Sequence, residues 1–288
     1  MMQKKYKSVD LNSPNSFALK LVNYFVLIVF VFIILMPILI VFNISFKSAA
    51  EYAETSFMTF PRSFMYVENY ITVFTQARML TGFKNTLILA TVPTIFSLIM
   101  GTMVAYILSR FRTKFVNIIF NMFVLSIMIP TITTQVATFT IIKSLGLFNT
   151  IFAGIVLYVA TDLTQIYIFL QFLDKIPKEI DESGLTDGAS YFRIYANLIF
   201  PQLRPALTTA AIIKFIAIYN DMFTPYLYMP KSNLRTITTA ILSFSGDRVS
   251  DWNLMAAGIV IVLFPTLILY LVFQKFIISG LSDGAVKM

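Results

Sequence analysis

VNYFVLIVFVFIILMPILIVF, at residues 22–42, is a stretch without a single charged side chain. A bilayer hydrocarbon core of about 30 Å needs about 20 mostly apolar residues of α-helix to cross it, so this stretch predicts a transmembrane helix. It is longer than the apolar part of a signal peptide and lacks the small-residue cleavage pattern that ends one. We therefore expect the helix to be retained.

Further apolar runs of similar length follow along the chain, at residues 86–108, 116–141, 151–173, 207–229 and 254–273. The sequence is 58% hydrophobic and 12% charged, with a mean hydropathy of +0.79, which is far more apolar than an ordinary soluble domain. Runs and composition together predict an all-α fold: a polytopic membrane helical bundle with six transmembrane helices, forming a single domain over residues 1–288.

The residue types that are missing exclude most chemistry. Cysteine and histidine are both absent, which removes disulfides, thiol nucleophiles, serine–histidine relays and most zinc sites. No G-x-x-x-x-G-K-[ST] phosphate loop is present either, so ATP cannot be bound by that route. We therefore expect no enzymatic activity, no metal site and no cofactor in this chain.

Charge sets the expected topology. Lysine and arginine number 22 against 14 acidic residues, and such an excess in a membrane protein usually lies in cytoplasmic loops rather than on nucleic acid. With the N-terminus inside, the larger share of the basic residues falls on inner segments. Both termini are therefore predicted to be cytoplasmic, and the predicted cytoplasmic segments are residues 1–21, 174–205 and 274–288.

The 174–205 segment is long for a connection between packed helices. It carries apolar residues at helical spacing, interrupted by the turn dipeptide Asp187-Gly188 within ESGLTDGAS at residues 182–190. This pattern predicts a short helix, a turn and a second helix that ends at Pro201. Such a segment can lie in the lipid headgroups, pack on its own bundle or dock onto another protein. Its mixed charges argue against adsorption to anionic lipid and we favour docking, with a solvated loop without a partner as the alternative.

A second stretch, SGLSDGA at residues 279–285, is nearly identical in sequence to part of ESGLTDGAS at residues 182–190. The flanking sequences are unrelated, so duplication is not indicated. We interpret the two stretches as independent turns, in which glycine supplies a positive φ and aspartate supplies a local cap.

Polar residues inside the apolar runs are candidates for a transport path. Asp162 and Lys214 should face the bundle interior, a cavity or each other, because a charge at the bilayer centre costs about 2.5–3.5 kcal/mol. We favour a mutual pair, which either locks two helices together or lines a path. Tyr219, Asn220 and Asp221 combine an aromatic face with hydrogen-bonding groups, as sugar sites do, although tyrosine near a membrane surface also serves as an interfacial residue.

One motif carries a family resemblance. The pattern Glu182-Ser183-Gly184-x-x-Asp187-Gly188-Ala189, followed by Leu198-x-Phe200-Pro201, resembles the cytoplasmic EAA loop of the membrane subunits of bacterial ABC importers. Two features depart from the family pattern: Ser183 and Gly184 replace two alanines, and Leu198-x-Phe200-Pro201 replaces Ile-x-Leu-Pro. These are small-for-small and apolar-for-apolar exchanges.

Further matches extend over almost the whole chain and resemble the carbohydrate-uptake permeases, in particular the smaller maltose permease subunit. They comprise Asn85-Thr86-Leu87, Ala105-Tyr106, Met128-Ile129-Pro130, residues 146–150, Ile176-Pro177-Lys178-Glu179, Tyr219-Asn220-Asp221 with Pro225, Asp251-Trp252, Ala256-Ala257, Pro265, and the tail with Gly280, Gly284 and Lys287.

The resemblance implies how the subunit would be coupled to ATP hydrolysis. The 182–189 stretch would be the coupling helix, seated in a groove of a separate ATPase, and the residues assigned to that contact are Glu182, Ser183, Gly184, Asp187, Gly188, Ala189 and Pro201. The tail residues Gly280, Gly284 and Lys287 would reach toward the ATPase dimer. ATP and magnesium would be bound by the partner subunits.

The resemblance also implies the partners and the setting. They are a second, homologous permease in a heterodimer, two ATP-binding cassette subunits, a sugar-binding protein meeting the outer 230–253 segment, the carbohydrate itself and the lipid of a bacterial cell membrane. The implied function is ATP-driven import of carbohydrate, with oligosaccharide as the expected cargo, by alternating access. Alternatives are another cargo, such as glycerol phosphate, an amino acid or a peptide, or an ion-coupled secondary transporter.

Overall fold

The computed structural model describes residues 14–245 and 251–285, and every regular element within those ranges is helical. Short π and 3-10 turns cover Tyr195–Ile199, Phe200–Leu203, Ser232–Leu234 and Ile241–Phe244. The α-helices are α1 (Pro14–Ser45), α2 (Ala49–Glu54), α3 (Glu68–Gln76), α4 (Met79–Arg110), α5 (Lys114–Met128), α6 (Thr131–Ser144), α7 (Ile151–Val159), α8 (Leu163–Leu173), α9 (Glu179–Thr186), α10 (Tyr191–Ile194), α11 (Arg204–Asn220), α12 (Phe223–Tyr228), α13 (Ile237–Ala240) and α14 (Trp252–Ala285).

Three of the described helices are long and apolar enough to cross a bilayer unaided: Leu19–Ser45 within α1, all of α4, and Trp252–Gln274 within α14. Two bent pairs also qualify when each is taken as one span, α5 with α6 and α7 with α8. By length and composition, the described residues therefore hold between three and five spans. The all-helical membrane fold agrees with the sequence prediction, whereas the predicted count of six is not reached by these criteria.

The third apolar run is bent sharply in its middle. The axes of α5 and α6 differ by 107° across the break. Ile129 leaves the helical region, with φ −90° and ψ 112°, because the ring of the following Pro130 disfavours helical geometry at the residue before it. The Met128-Ile129-Pro130 motif of the sequence is therefore a corner rather than the interior of a helix.

The fourth run is interrupted at residues 160–162, where α7 and α8 meet at 43°. Asp162 is the N-cap residue of α8, and its Oδ1 accepts a hydrogen bond of 2.9 Å from the backbone amide of Gln165. Capping aspartates compete with helix continuation because they bond backbone amides in an extended conformation. A charged residue placed inside an apolar run thus starts a new helix.

The fifth run is also divided by an aspartate that caps a helix. Asp221 ends α11, and its Oδ1 accepts hydrogen bonds from the amides of Phe223 (2.8 Å) and Thr224 (3.2 Å) at the start of α12. α11 has 17 residues and α12 has 6, so neither is long enough alone to count as a span. Pro225 lies within the first turn of α12, where its missing amide hydrogen costs little.

The α4 helix occupies the centre of the bundle and packs against α7, α8, α11 and α13. Around the end of α4 that terminates at Arg110, a buried apolar cluster joins α4 and α8 to the 174–205 segment. A second cluster lies between α4, α7 and α11, and a third packs α3 and the start of α4 against α13 and α14. α4 thus contacts all parts of the core along its length.

The second Asp-Gly stretch does not form the predicted turn. α14 runs without interruption to Ala285, so Gly280 and Gly284 lie inside a helix. A single glycine costs a helix about 1 kcal/mol relative to alanine, which a long helix tolerates. The prediction of a turn at residues 279–285 is therefore wrong, and Lys287 lies outside the described residues.

Candidate functional site

The 174–205 segment is an ordered helical hairpin. α9 ends at Thr186 and is followed by Gly188 with φ +77°, a conformation that favours glycine. The amide of Ala189 bonds the carbonyl of Gly184 at 2.9 Å, which closes the turn as at many helix C-termini. Ser190 then caps α10 through a 3.3 Å hydrogen bond from the amide of Arg193. The predicted helix and turn are present here.

The second arm differs from its prediction at Pro201. After α10 the chain passes through a π turn and a 3-10 turn and enters α11 at Arg204 without an intervening loop. Pro201 sits at the start of the 3-10 turn, where proline does not break a helical path. The second helix therefore does not end at Pro201 but continues irregularly into the next helix.

The first arm is anchored to α4 by a buried charge cluster. Arg110 Nε lies 3.0 Å from Asp181 Oδ2, with side chains only 7% and 10% exposed. The hydroxyl of Tyr106 donates to Asp181 Oδ1 at 2.5 Å, and Arg110 Nη2 donates to the carbonyl of Ile176 at 3.0 Å. Breaking one partner of such a buried pair is costly, so this cluster fixes α9 to the end of α4.

The second arm is anchored to α4 by Tyr195. Its hydroxyl and that of Thr102 are hydrogen-bonded at 2.8 Å, and its ring packs 5.6 Å from that of Tyr106. Burial raises the pKa of the Tyr195 hydroxyl above its ordinary value. Beneath the hairpin lie fully buried apolar side chains from the segment and α8, namely Phe169, Leu173, Ile194, Ile199 and Leu203.

Gly184 allows the two arms to approach closely. A Cβ atom at this position would lie 2.8 Å from Cγ1 of Ile194 and 3.1 Å from its Cδ1. The first distance is shorter than van der Waals contact, so an alanine here requires Ile194 to shift. The small residue in the motif therefore has a packing role at the crossing of α9 and α10.

The outer face of the hairpin remains exposed and carries both charge and apolar surface. Glu182, Ser183 and Asp187 are exposed. Four large apolar side chains of the hairpin are also exposed, with Phe192 at 68% and the others being Leu185, Tyr191 and Leu198. Tyr191 and Phe192 border a groove with Tyr106 of α4. Of the predicted motif residues, the structure therefore brings Gly184 into the fold and leaves the acidic residues on the surface.

Asp162 and Lys214 are brought together at the break between α7 and α8. Lys214 Nζ lies 3.6 Å from Asp162 Oδ2, and it also donates a 2.7 Å hydrogen bond to the carbonyl of Ala160. The Lys214 side chain is 12% exposed and that of Asp162 is 51% exposed. The mutual pair favoured from the sequence is present, and the ammonium additionally satisfies a backbone carbonyl that the break leaves free.

The three polar residues at the end of α11 have different surroundings. Tyr219 is buried and borders a cleft of about 760 Å³ between α4, α11 and α14, next to Phe215 and Pro265. Asn220 is exposed. Asp221 caps α12 and accepts a 2.8 Å hydrogen bond from the hydroxyl of Tyr158. Only Tyr219 of the three therefore borders the cleft.

Sequence reasoning missed the residues that hold the hairpin in place. Arg110 and Asp181 counted only as charges of the cytoplasmic segments, although they form a buried pair. The available signal was the spacing of Asp181 and Gly184, which lie on one helical face and are both buried. Within the described residues, no group of acidic side chains has an arrangement that could hold a metal ion.

The described residues form a membrane bundle of broken and continuous helices, with an ordered polar hairpin clamped to its central helix, an architecture that polytopic transport subunits have. The chain belongs to the family of binding-protein-dependent transport system inner membrane components, whose profile matches residues 97–282. Membership and the apolar helices together make it a multi-pass protein of the cell membrane.

Similar proteins come from bacteria and archaea. The chain is 29% identical to the melibiose/raffinose/stachyose import permease protein of Bacillus subtilis, over 87% of this chain and 91% of the relative. It is 32% identical to a probable starch degradation products transport system permease of Thermoanaerobacterium thermosulfurigenes, with the same coverage. It is 33% identical to the trehalose/maltose transport system permease of Thermococcus litoralis, over 77% of this chain and 81% of the relative.

The fold has a counterpart among solved structures. A chain in the crystal structure of a bacterial ABC transporter involved in the import of the acidic polysaccharide alginate superposes with a TM-score of 0.79. The match covers 93% of this chain and 99% of the other at 21% sequence identity. The arrangement of helices is therefore that of an ABC importer permease.

Proposed function

We propose that this chain is the transmembrane permease subunit of an ATP-driven carbohydrate importer, working by alternating access on oligosaccharides. The relatives whose names state a cargo support this class, since those cargoes are melibiose, raffinose, stachyose, starch degradation products, trehalose and maltose. The chain itself lacks a phosphate loop, so the free energy of ATP hydrolysis must come from separate ATPase subunits.

The observation that carries the coupling assignment is the exposed face of the α9–α10 hairpin. Glu182 and Leu185 are exposed on one face of α9 and Phe192 is exposed on α10, while Asp181 is buried and bonded to Arg110. A rigid base with an unpaired apolar outer face suits insertion into a groove of another protein. We assign the ATPase contact to Glu182, Ser183, Asp187, Gly188 and Ala189, with the buried Gly184 packing the two arms together and Pro201 in the turn that leads to α11.

The remaining subunit arrangement follows the family. The chain has six spans in the bilayer, taking α11 with α12 as the fifth, and both termini are cytoplasmic. It pairs with a second, homologous permease on two ATP-binding cassette subunits, which bind ATP and magnesium. A sugar-binding protein meets the 230–253 segment outside, and the tail with Gly280, Gly284 and Lys287 extends toward the ATPase.

The transport path is assigned to the cleft beside Tyr219. An aromatic face at the border of a cleft this size suits stacking against a sugar ring. We assign four further residues to the path or to the helix ends that border it: Asn220, Asp221, Asp162 and Lys214. Asp221 and Lys214 are already hydrogen-bonded to backbone groups, which supports a role for both in holding the helix ends beside the path.

The assignment is tested by uptake into proteoliposomes that contain the complete complex, with raffinose, maltose and trehalose as probes. Gly188→Pro cannot adopt the φ of +77° at the hairpin turn and should abolish uptake while the ATPase subunits still hydrolyse ATP. Gly188→Asn is the matched control, because asparagine tolerates this conformation. Undiminished uptake and stimulated hydrolysis in the proline variant would contradict the coupling assignment.

The cargo class has its own test in the same vesicles. Uptake of one of the three sugars, dependent on ATP, supports a carbohydrate importer. ATP-dependent uptake of glycerol phosphate or a dipeptide instead would replace the cargo but leave the ATP-coupled class standing. Uptake driven by an ion gradient without ATP would contradict both.

A further inference from the structure

The Asn85-Thr86 motif at the opposite end of α4 forms a second clamp. Asn85 Nδ2 donates hydrogen bonds to the backbone carbonyls of Asn233 (2.9 Å) and Arg235 (3.0 Å), and Thr86 Oγ1 accepts a 3.0 Å hydrogen bond from the amide of Ile237. Asn85, Thr86 and Ile237 are all buried. The motif therefore fixes the backbone of residues 233–237 to α4.

Gly82 completes this clamp on the same face of α4. A Cβ atom at Gly82 would lie 3.2 Å from the amide nitrogen of Ile237 and 3.3 Å from the carbonyl carbon of Thr236. The backbone at Thr236 and Ile237 thus packs directly against the helix. Residues 82, 85 and 86 are spaced to share one helical face, which places the glycine beside the two hydrogen-bonding side chains.

The two clamps lie on one α-helix, which continues across Pro93 between them. α4 has 32 residues, which corresponds to a length of about 48 Å at the usual rise per residue. One end holds the 174–205 segment through Thr102, Tyr106 and Arg110, and the other holds the 230–253 segment through Asn85 and Thr86. The bent pair α7–α8 and the divided α11–α12 lack this continuity.

α11 offers a competing connection but a weaker one. It is joined to the 174–205 segment through the π and 3-10 turns, and Ala206 and Ala210 pack into the buried cluster of that segment. Its far end contacts α13 through a 3.0 Å hydrogen bond from Thr238 Oγ1 to the carbonyl of Asp221. Thr238 is only partly buried. α4 keeps α-helical geometry across Pro93, whereas the link to α11 passes through irregular turns, so α4 is the more regular connection.

We propose that α4 transmits the state of the outer 230–253 segment to the 174–205 hairpin, and that Asn85 and Thr86 are the positioning residues for this coupling. The inference rests on the proposed function, in which a sugar-binding protein contacts the outer segment and the ATPase contacts the hairpin. Two sites can be coupled when both change the state of one shared structural element, and α4 is the element that contacts both segments.

The test measures ATP hydrolysis by the complete complex in lipid nanodiscs, with and without a sugar-loaded binding protein that stimulates the wild-type complex. Thr86→Val and Asn85→Ala should lower the stimulation by about fivefold or more while the unstimulated rate and the assembly of the complex stay at wild-type values. Thr86→Ser keeps the acceptor hydroxyl and should retain full stimulation. Thr238→Val removes the contact of α11 and should also retain it.

Each other result overturns the inference. Full stimulation of ATP hydrolysis in Thr86→Val and Asn85→Ala would show that the clamp does not transmit the effect of the binding protein. Loss of stimulation in Thr238→Val alone would assign the transmitting role to α11. An equal fall of the stimulated and unstimulated rates, with earlier thermal unfolding, would reduce Asn85 and Thr86 to structural residues. A wild-type complex that no binding protein stimulates would contradict the proposed function as well, whereas the first results leave that function intact.

Discussion

Asp181 and Glu182 are adjacent acids with opposite surroundings. Asp181 is buried against Arg110, whereas Glu182 is exposed on the outer face of the hairpin. The motif pattern draws attention to Glu182, because that residue is part of the family resemblance. The hydrogen bonds assign Asp181 to holding the hairpin and leave Glu182 available for a partner.

Asp181→Asn should destabilise the hairpin strongly. The amide oxygen still accepts from Tyr106, but the buried guanidinium of Arg110 loses its counter-charge, a change that costs about 3–5 kcal/mol in buried pairs. Thermal unfolding of the purified complex should occur at a clearly lower temperature. Asp187→Asn, at an exposed acid of the same hairpin, is the control and should change little; equal shifts for the two variants would contradict the anchoring role.

Gly184→Ala should be destabilising because the added methyl group overlaps Ile194 Cγ1, and overpacking of this kind costs about 1–3 kcal/mol. Ile194→Ala removes the overlapping atoms but leaves a cavity of its own. The double variant should therefore lose less stability than the two single changes added together. Strict additivity of the three unfolding measurements would mean that the two side chains do not meet.

At the scale of the helical element, the break between α7 and α8 depends on Lys214 more than on Asp162. Lys214 Nζ bonds the carbonyl of Ala160 as well as Asp162, and it is the more buried partner. Asp162→Asn should keep both the cap of α8 and most of the function, because a half-exposed ion pair contributes only about 0–1 kcal/mol.

Lys214→Leu should be more harmful, because it removes the ammonium that bonds both Asp162 and the carbonyl of Ala160, and that carbonyl keeps only the 3.2 Å hydrogen bond from Ser97 Oγ. Uptake and the yield of assembled complex are the measurements for both variants. A charge exchange between the two positions should not restore the Lys214 defect, since the carboxylate of an aspartate at position 214 cannot donate to a carbonyl. Full rescue by that exchange would show that the ion pair alone matters.

The elements could be predicted from the sequence only in part. Long charge-free runs such as residues 22–42 predicted membrane helices, and Asp187-Gly188 predicted a turn whose glycine has the expected positive φ. The interruptions at Asp162 and Asp221 were not predicted, because an aspartate in an apolar run is equally compatible with a buried charge and with a helix cap. The same ambiguity made Gly284 resemble a turn glycine although it lies in α14.

At the scale of the whole molecule, the long-range contacts are what the sequence could not supply. The pairs Arg110–Asp181 and Asn85–Asn233 join residues far apart in the chain, and no local pattern encodes which residues meet. The motif resemblance identified the family and the hairpin surface. In the structure, α4 connects that hairpin to residues 233–237. Asn85 and Thr86, which the sequence offered only as a motif match, make the hydrogen bonds of this connection.

The central claim, that the outer face of the hairpin contacts an ATPase, can be measured directly because the chain contains no cysteine. A benzophenone attached to Phe192→Cys, at a position that is 68% exposed, is photolysed in the assembled complex and the captured chain is identified by mass spectrometry. Met65→Cys, 85% exposed near the Met79 end of α4, is the control. The account predicts that position 192 captures an ATP-binding subunit and position 65 does not. Capture of that subunit from position 65, or of no nucleotide-binding chain from position 192, would contradict it.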